Sequence, residues 1–277
     1  MSAAPSSGEP AGPAGGRTPV LVGCSHGTDS REGRAAIRSI LADAAALRPE
    51  LDVREAFVDV QEPSVADVVG DALAGGDEAV VVPLLLSVGY HVRVDVAAAV
   101  DRPGARAAAP LGPDEALVAI LVDRLAAAGL RADDALVLAA AGSSDPAAAV
   151  AVQEVAVALA DALGRRVGPP DDRATPGAQG GLVVGYGAGT SPRVPQAVAL
   201  ARAGGRRVVV ASYLLAPGYF LDRVHEAGAD VVSAPLAPDR RLAELALRRY
   251  DEVVAQPTGR PCRCVTGSAS GRTARGG

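Results

Sequence analysis

Short apolar runs bounded by turn residues recur along the chain, at 19–23, 53–60, 79–86, 135–140, 182–184 and 207–213. Runs of this length, rich in Val, Leu and Ala, read as buried strands. Apolar residues at helical spacing follow them, over 31–47, 64–74, 114–128, 147–163 and 193–203. Strands alternating with helices predict parallel sheets and an α/β fold. Ligands of such sheets bind beyond the carboxyl ends of the strands, so the residues just after each run are the candidates for chemistry.

The pattern also repeats. "PSVADVVGDALAGGDEAVVVPLLLSVGYH" runs alongside "PRVPQAVALARAGGRRVVVASYLLAPGYF", pairing Pro63 with Pro192 and Gly89 with Gly218 at a constant offset of 129 residues. The opening strands match as well, "VLVGCSHGTDS" against "LVLAAAGSSDP", pairing Gly27 with Gly142 at an offset of 115. The Pro/Gly-rich stretch "RRVGPPDDRATPGAQGG" absorbs the difference as a loop. Self-similarity of this kind predicts two like lobes, 18–130 and 131–255.

Composition narrows the class. The chain has 277 residues, 49% of them hydrophobic, enough for a large core without disulfides. Aromatics are only 3%, so that core is built from Ala, Val and Leu. The net charge of −5 with interspersed signs gives no nucleic-acid-binding surface. No apolar run reaches the roughly 20 residues of a membrane span. The Pro/Gly/Ser-rich ends, 1–17 and 256–277, read as disordered tails without a signal peptide, and a cytoplasmic protein is expected.

Three polar residues follow or close predicted strands: His26 after the first, Asp59 near the end of the second and His91 just past the third. Mapped through the repeat they fall on Ala141, Ala188 and Phe220. A structural role would have left a trace in the duplicate, so the loss of all three points to function in the first lobe. Two imidazoles and a carboxylate on one rim suit a borderline divalent metal, and equally suit general bases near neutral pH.

The residues that carry this constellation resemble a known family. "SHGT" after the first strand, "AFVDVQEPSVADVV" after the second and "VVVPLLLSVGYHVRVDV" after the third resemble the sirohydrochlorin chelatases, which insert cobalt or ferrous iron into sirohydrochlorin. Thr28 replaces the usual Ser, and Asp59 stands where the family usually has Glu. The resemblance spans about 18–255 and implies two chelatase-like lobes, each a parallel sheet flanked by helices, facing across a cleft. It implies His26 and His91 as catalytic residues and metal ligands, with Asp59 in support and Glu62 as a further candidate ligand. Because the substrate is a polycarboxylate tetrapyrrole, Arg93, Arg31 and Arg34 are expected to bind it, beside Gly27 and Thr28. No organic cofactor is implied, since the divalent metal, Fe²⁺ or Co²⁺, is itself a substrate.

Other signals carry less. "GYGAGTSP" at 185–192 resembles a phosphate loop, but the fingerprint is incomplete and the repeat sets it opposite "FVDVQEPS". His225 reads as a structural residue on a surface helix, and Cys262-Arg263-Cys264 as part of a tail, since two thiolates alone make a poor metal site. The reading is thus a chelatase making sirohaem with Fe²⁺. The alternatives are cobalt insertion for cobalamin or a non-catalytic metal or tetrapyrrole carrier. Monomer and homodimer are both compatible, with no nucleic-acid or membrane partner.

Overall fold

A computed structural model describes residues 17–87, 89, 92–168, 181–203 and 205–256, with the backbone alone at 92 and 93. His91 and the Cys262-Arg263-Cys264 stretch lie outside the described residues, as do the predicted tails apart from Arg17 and Gln256. The first lobe contains β1 (Val20–Ser25), α1 (Arg31–Leu47), β2 (Val53–Phe57), α2 (Val65–Ala74) and β3 (Ala79–Pro83). A π-helical turn, Val92–Val96, then leads into α3 (Ala97–Val100), β4 (Ala105–Ala107) and α4 (Glu115–Ala127). The second lobe contains β5 (Ala135–Ala140), α5 (Pro146–Ala162), β6 (Leu182–Tyr186) and α6 (Val194–Arg202). It continues with β7 (Val208–Tyr213), α7 (Tyr219–His225), β8 (Val231–Val232) and α8 (Arg240–Val254).

Each lobe is built on a four-stranded parallel sheet, ordered β2-β1-β3-β4 in the first and β6-β5-β7-β8 in the second. The two orders are the same, as the internal repeat predicts. Both faces of each sheet are covered, which is why the central strands read as unbroken apolar runs. In β1, Leu21 joins one core cluster with Val80 and Val82, while Val20, Val22 and Cys24 join another with Val69 and Val81. The edge strands β4 and β8, of three and two residues, are too short to leave a periodic signal. β2 ends at Phe57 rather than at residue 60, because β1 ends at Ser25: the Val58 N–H makes the last ladder bond, to the Ser25 carbonyl at 3.0 Å, and no β1 residue lies beyond it to pair.

The lobes exchange their last helices. α4 packs against β7 and α5 of the second lobe, whereas α8 packs against β3 and α1 of the first, and the two helices touch each other. One core cluster therefore runs through both lobes, from Leu21 and Val80 to Leu136 and Val209. Polar anchors fix the exchange. From α4, Arg124 donates to the carbonyls of Pro235, Leu236 and Pro238 at 3.1, 2.9 and 2.6 Å. From α8, the Tyr250 hydroxyl donates to the Pro19 carbonyl at 2.6 Å, and Asp251 pairs with Arg48 of α1. Each helix also begins on a capping aspartate. Asp114 accepts from the Ala116 N–H at 3.0 Å and pairs with Arg248 and Arg249 of α8 at 2.7 and 3.0 Å. Asp239 caps α8 through the Arg241 N–H and pairs with the Arg241 guanidinium at 2.8 Å.

The loops beyond the strands are also duplicated. Gly27 and Gly142 have φ of +93° and +80°, and a Cβ at either would strike a carbonyl of the facing loop, that of Asp59 or of Ala188. In the facing loops the chain makes a three-residue turn. The Gln61 N–H donates to the Asp59 carbonyl at 2.6 Å, and the Thr190 N–H to the Ala188 carbonyl at 2.9 Å. The central residue is Gly189 at φ +68° in the second lobe but Val60 at φ +62° in the first. A β-branched side chain at that φ is strained, at a cost of order 1–3 kcal/mol.

These contacts set the expected stability of three variants. Val60→Gly relieves the strain and raises the unfolding free energy by about 1 kcal/mol after the entropic cost of a new glycine, as read by chemical denaturation. Asp114→Ala removes a cap and both arginine partners and lowers it by about 2–3 kcal/mol. Asp239→Asn is also destabilising at neutral pH. Hydrogen bonding to the Arg241 guanidinium holds the Asp239 carboxyl below the usual carboxylate range, so its contribution is present above about pH 4 and lost on acidification. The stability gap between Asp239→Asn and the unmodified chain should close as the pH falls from 7 towards 2.

Candidate functional site

At the carboxyl ends of the strands, where the lobes face each other, lies a cleft of about 740 Å³. This is within the usual range for small-molecule sites, about 300–1,000 Å³. The first lobe lines it with the loop His26–Ser30, with Glu55 and Phe57, and with Leu84–Ser87; the second with Ala140–Ser144 and Tyr213–Leu221. The lobes nearly touch at its edge. A Cβ on Gly218 would come within 3.2 Å of the Thr28 hydroxyl, and one on Gly33 would strike the Pro217 carbonyl.

His26 is the first residue after β1, and the loop that carries it is pinned on both sides. The Thr28 N–H donates to Gln61 Oε1 at 2.9 Å, and Thr28 Oγ1 accepts from the Ser30 N–H at 3.2 Å. Ser30 Oγ then accepts from the Gly33 N–H at 3.0 Å, capping α1. Gly27 supplies the left-handed turn between His26 and these bonds. The imidazole is thus held at the lip of the sheet by a loop whose counterpart, Ala141–Gly142, keeps the turn without the histidine. Beneath it Ser25 is 4% exposed, and its hydroxyl has no hydrogen-bond partner among the described residues.

Of the candidate site residues, His26, Gly27, Thr28 and Arg34 line the cleft, whereas Asp59, Glu62 and Arg31 do not. Asp59 is exposed in the turn after β2, where its Oδ1 accepts from the Val60 N–H at 2.8 Å. The apolar run read to residue 60 puts Asp59 at a strand end. The early end of β2 turns it to local capping instead. Glu62 is exposed, and Arg31 is exposed at the first position of α1. Among the described residues, no three His, Cys, Asp or Glu side chains are grouped to hold a metal ion. Arg93 lies in the π-helical turn, described at the backbone only. His225 is exposed at the end of α7 and does not line the cleft.

Three lining residues escaped the sequence reading. Glu55 faces the cleft from β2, with its carboxylate 3.1 Å from Arg38 Nε. Its signal was the register of β2 on β1, which sets Glu55 beside Gly23. Gln61 holds the His26 loop through a backbone bond that no motif announces. Tyr213 reaches across the lobes, its hydroxyl donating to the Leu86 carbonyl at 2.9 Å. Burial pushes the phenol pKa up, so it stays a neutral donor. Cys24 packs on the other sheet face with Val20 and Val22. Burial, with Asp95 nearby, pushes its thiol up to about 12, so it offers no thiolate at neutral pH.

Residues 20–128 match the CbiX family model. No curated protein sequence matches the chain. Among solved structures, the chain is similar to SirB from Bacillus subtilis with Fe³⁺, at 19% identity and a TM-score of 0.68, over 85% of this chain and 95% of that one. It is also similar to the sirohydrochlorin chelatase SirB from Bacillus subtilis subspecies spizizenii in complex with cobalt, at 18% identity and a TM-score of 0.66, over 87% and 97% of the two chains. A third similar structure is CbiX, the terminal enzyme for biosynthesis of siroheme in denitrifying bacteria, at 18% identity and a TM-score of 0.58, over 86% and 100%. The first lobe is thus similar to the CbiX family model over residues 20–128, and the whole chain shares a two-lobed α/β fold with these solved structures.

Proposed function

We propose that this chain is a sirohydrochlorin chelatase that inserts Fe²⁺ into sirohydrochlorin to give sirohaem. The observation that carries the reading is His26, carried by the CbiX-matched lobe at the mouth of a cleft of about 740 Å³ and replaced by Ala141 in the twin lobe. Metallation exchanges two pyrrole N–H protons for one divalent ion. His26 accepts a proton from the macrocycle or passes the ion to it, since an imidazole can act as a base or as a metal ligand. His91, outside the described residues, is the second group in this proposal. Iron is favoured by the likeness to an enzyme of siroheme biosynthesis, and cobalt is the alternative metal.

Asp59 and Glu62 act at the rim in this reading. Both are exposed one loop away from His26, placed to meet a hydrated cation before it enters the cleft. Arg34 is the lining arginine available to a substrate carboxylate, its guanidinium already donating to the Asp29 carbonyl at 3.0 Å.

The test is anaerobic mixing of the purified chain with sirohydrochlorin and Fe²⁺ or Co²⁺, followed by the absorbance change of the macrocycle. Acceleration over the uncatalysed rate is expected, faster with Fe²⁺; no acceleration with either metal overturns the proposal. His26→Ala should lower the rate at least about 100-fold, in the range of losses for a general base. His225→Ala, on the exposed end of α7, should leave it within about twofold of the unmodified rate. Equal losses in both variants would place the chemistry elsewhere.

A further inference from the structure

The second lobe has lost the reactive groups but has kept aromatic side chains at the mouth of the cleft. The chain has two Phe and five Tyr in all. Tyr219 and Phe220 stand side by side at the start of α7, and both line the cleft. Their rings meet edge to face, with centroids 5.5 Å apart. Tyr219 is 70% exposed, the most open of the large apolar side chains among the described residues. Phe220 closes over Gly187, where a Cβ would come within 2.7 Å of the Phe220 ring, so the glycine is what lets that ring lie against its loop. The Arg223 guanidinium lies 5.9 Å from the centre of the Tyr219 ring, near enough for a cation–π contact.

The position of this pair is set by the contact between the lobes. Gly218, which precedes Tyr219, is the residue that nearly touches the Thr28 hydroxyl. The aromatic pair therefore starts where the second lobe meets the loop that carries His26. The rest of the lining leaves little charge for a polycarboxylate. Among described side chains the cleft offers Arg34 as its arginine, against Asp29 and Glu55. A ring-shaped ligand held in such a cleft gains its affinity from face contact with aromatic and aliphatic groups, while its charged edge stays in water.

We propose that Tyr219 and Phe220 form the platform on which the face of the tetrapyrrole macrocycle stacks, so that the second lobe is the substrate-binding lobe. This rests on the chelatase reading above. Tyr219 supplies the open ring face, Phe220 fixes its orientation, and Arg223, whose exposed pairing with Glu226 is weakly held, is placed beside a peripheral carboxylate.

The experiment compares Tyr219→Ala, Tyr219→Phe and His26→Ala with the unmodified chain. Two signals are read: absorbance on titration with metal-free sirohydrochlorin, and the initial rate of metallation with Co²⁺. Tyr219→Ala is expected to weaken tetrapyrrole binding and raise KM about 5- to 20-fold, the range for loss of one stacking ring. Its rate at saturating tetrapyrrole should change less than threefold. Tyr219→Phe, which keeps the ring, should stay within about twofold of the unmodified chain. His26→Ala should show the opposite split, with binding kept and turnover lost. If the unmodified chain turns over but Tyr219→Ala binds sirohydrochlorin normally, the platform is refuted while the chelatase reading stands. If the unmodified chain neither binds nor metallates sirohydrochlorin, the chelatase reading itself fails. The thermal midpoint of Tyr219→Ala should match that of the unmodified chain, because the side chain is mostly in solvent.

Discussion

The exchange of α4 and α8 is the constraint on which the cleft depends. Two lobes that met only at their loops would rock about a small interface, and a site between them would have no fixed width. Here each lobe completes its core with a helix of the other, and one apolar cluster runs through both. The Asp114 cap, gripped by Arg248 and Arg249, joins the start of α4 to the body of α8. Opening the cleft by rigid rotation would strip apolar side chains from the shared core and leave these partly buried charges unpaired. Both costs exceed what surface loops can repay. The cleft is accordingly a preformed feature of the fold.

On that rigid frame the two lobes have kept the same turns and diverged in what the turns carry. The stitching of β1 to the loop after β2 is common to both, through Val58 to Ser25 in one lobe and Gly187 to Ala140 in the other. Gly27 and Gly142 make the same close approach. The first lobe adds the imidazole of His26, the hydroxyl of Ser25 and a strained Val60. The second replaces them with Ala141, Ala140 and the relaxed Gly189. Strain retained on one side of a duplication and relieved on the other is a mark of function, because backbone strain persists where the surroundings require it.

Much of this was legible in the sequence. The repeat gave two lobes with one strand order because parallel strands buried on both faces leave long apolar runs, and the runs came in matching register. His26 stands out in the sequence because it lacks a twin, and the structure places it on the cleft. The helix exchange was not, since α4 and α8 carry the same amphipathic pattern whichever sheet they cover. Asp59 was misplaced because an apolar run does not say where a strand ends. The end is set by its partner, since β1 stops at Ser25, and just beyond it the Asp59 carboxylate accepts from the Val60 N–H instead of facing the cleft. Glu55 was missed for the converse reason. In a strand alternating Val, Arg, Glu, Ala and Phe it reads as a solvent position, and only the β1–β2 register sets it on the cleft side.

Under the chelatase proposal, one cleft must serve two unlike partners, a flat macrocycle and a small hydrated cation. A macrocycle lying on the aromatic pair of the second lobe turns its other face towards the His26 loop. In that arrangement the ion would approach from the side where the imidazole stands, and the displaced protons would leave on that same side. Such a division needs a polar first lobe and an apolar second lobe, and it needs nothing reactive behind the ring. The loss of His, Asp and His counterparts from the second lobe is what this geometry calls for. Cys24, packed on the far sheet face with its thiol protonated, offers no competing ligand for the ion.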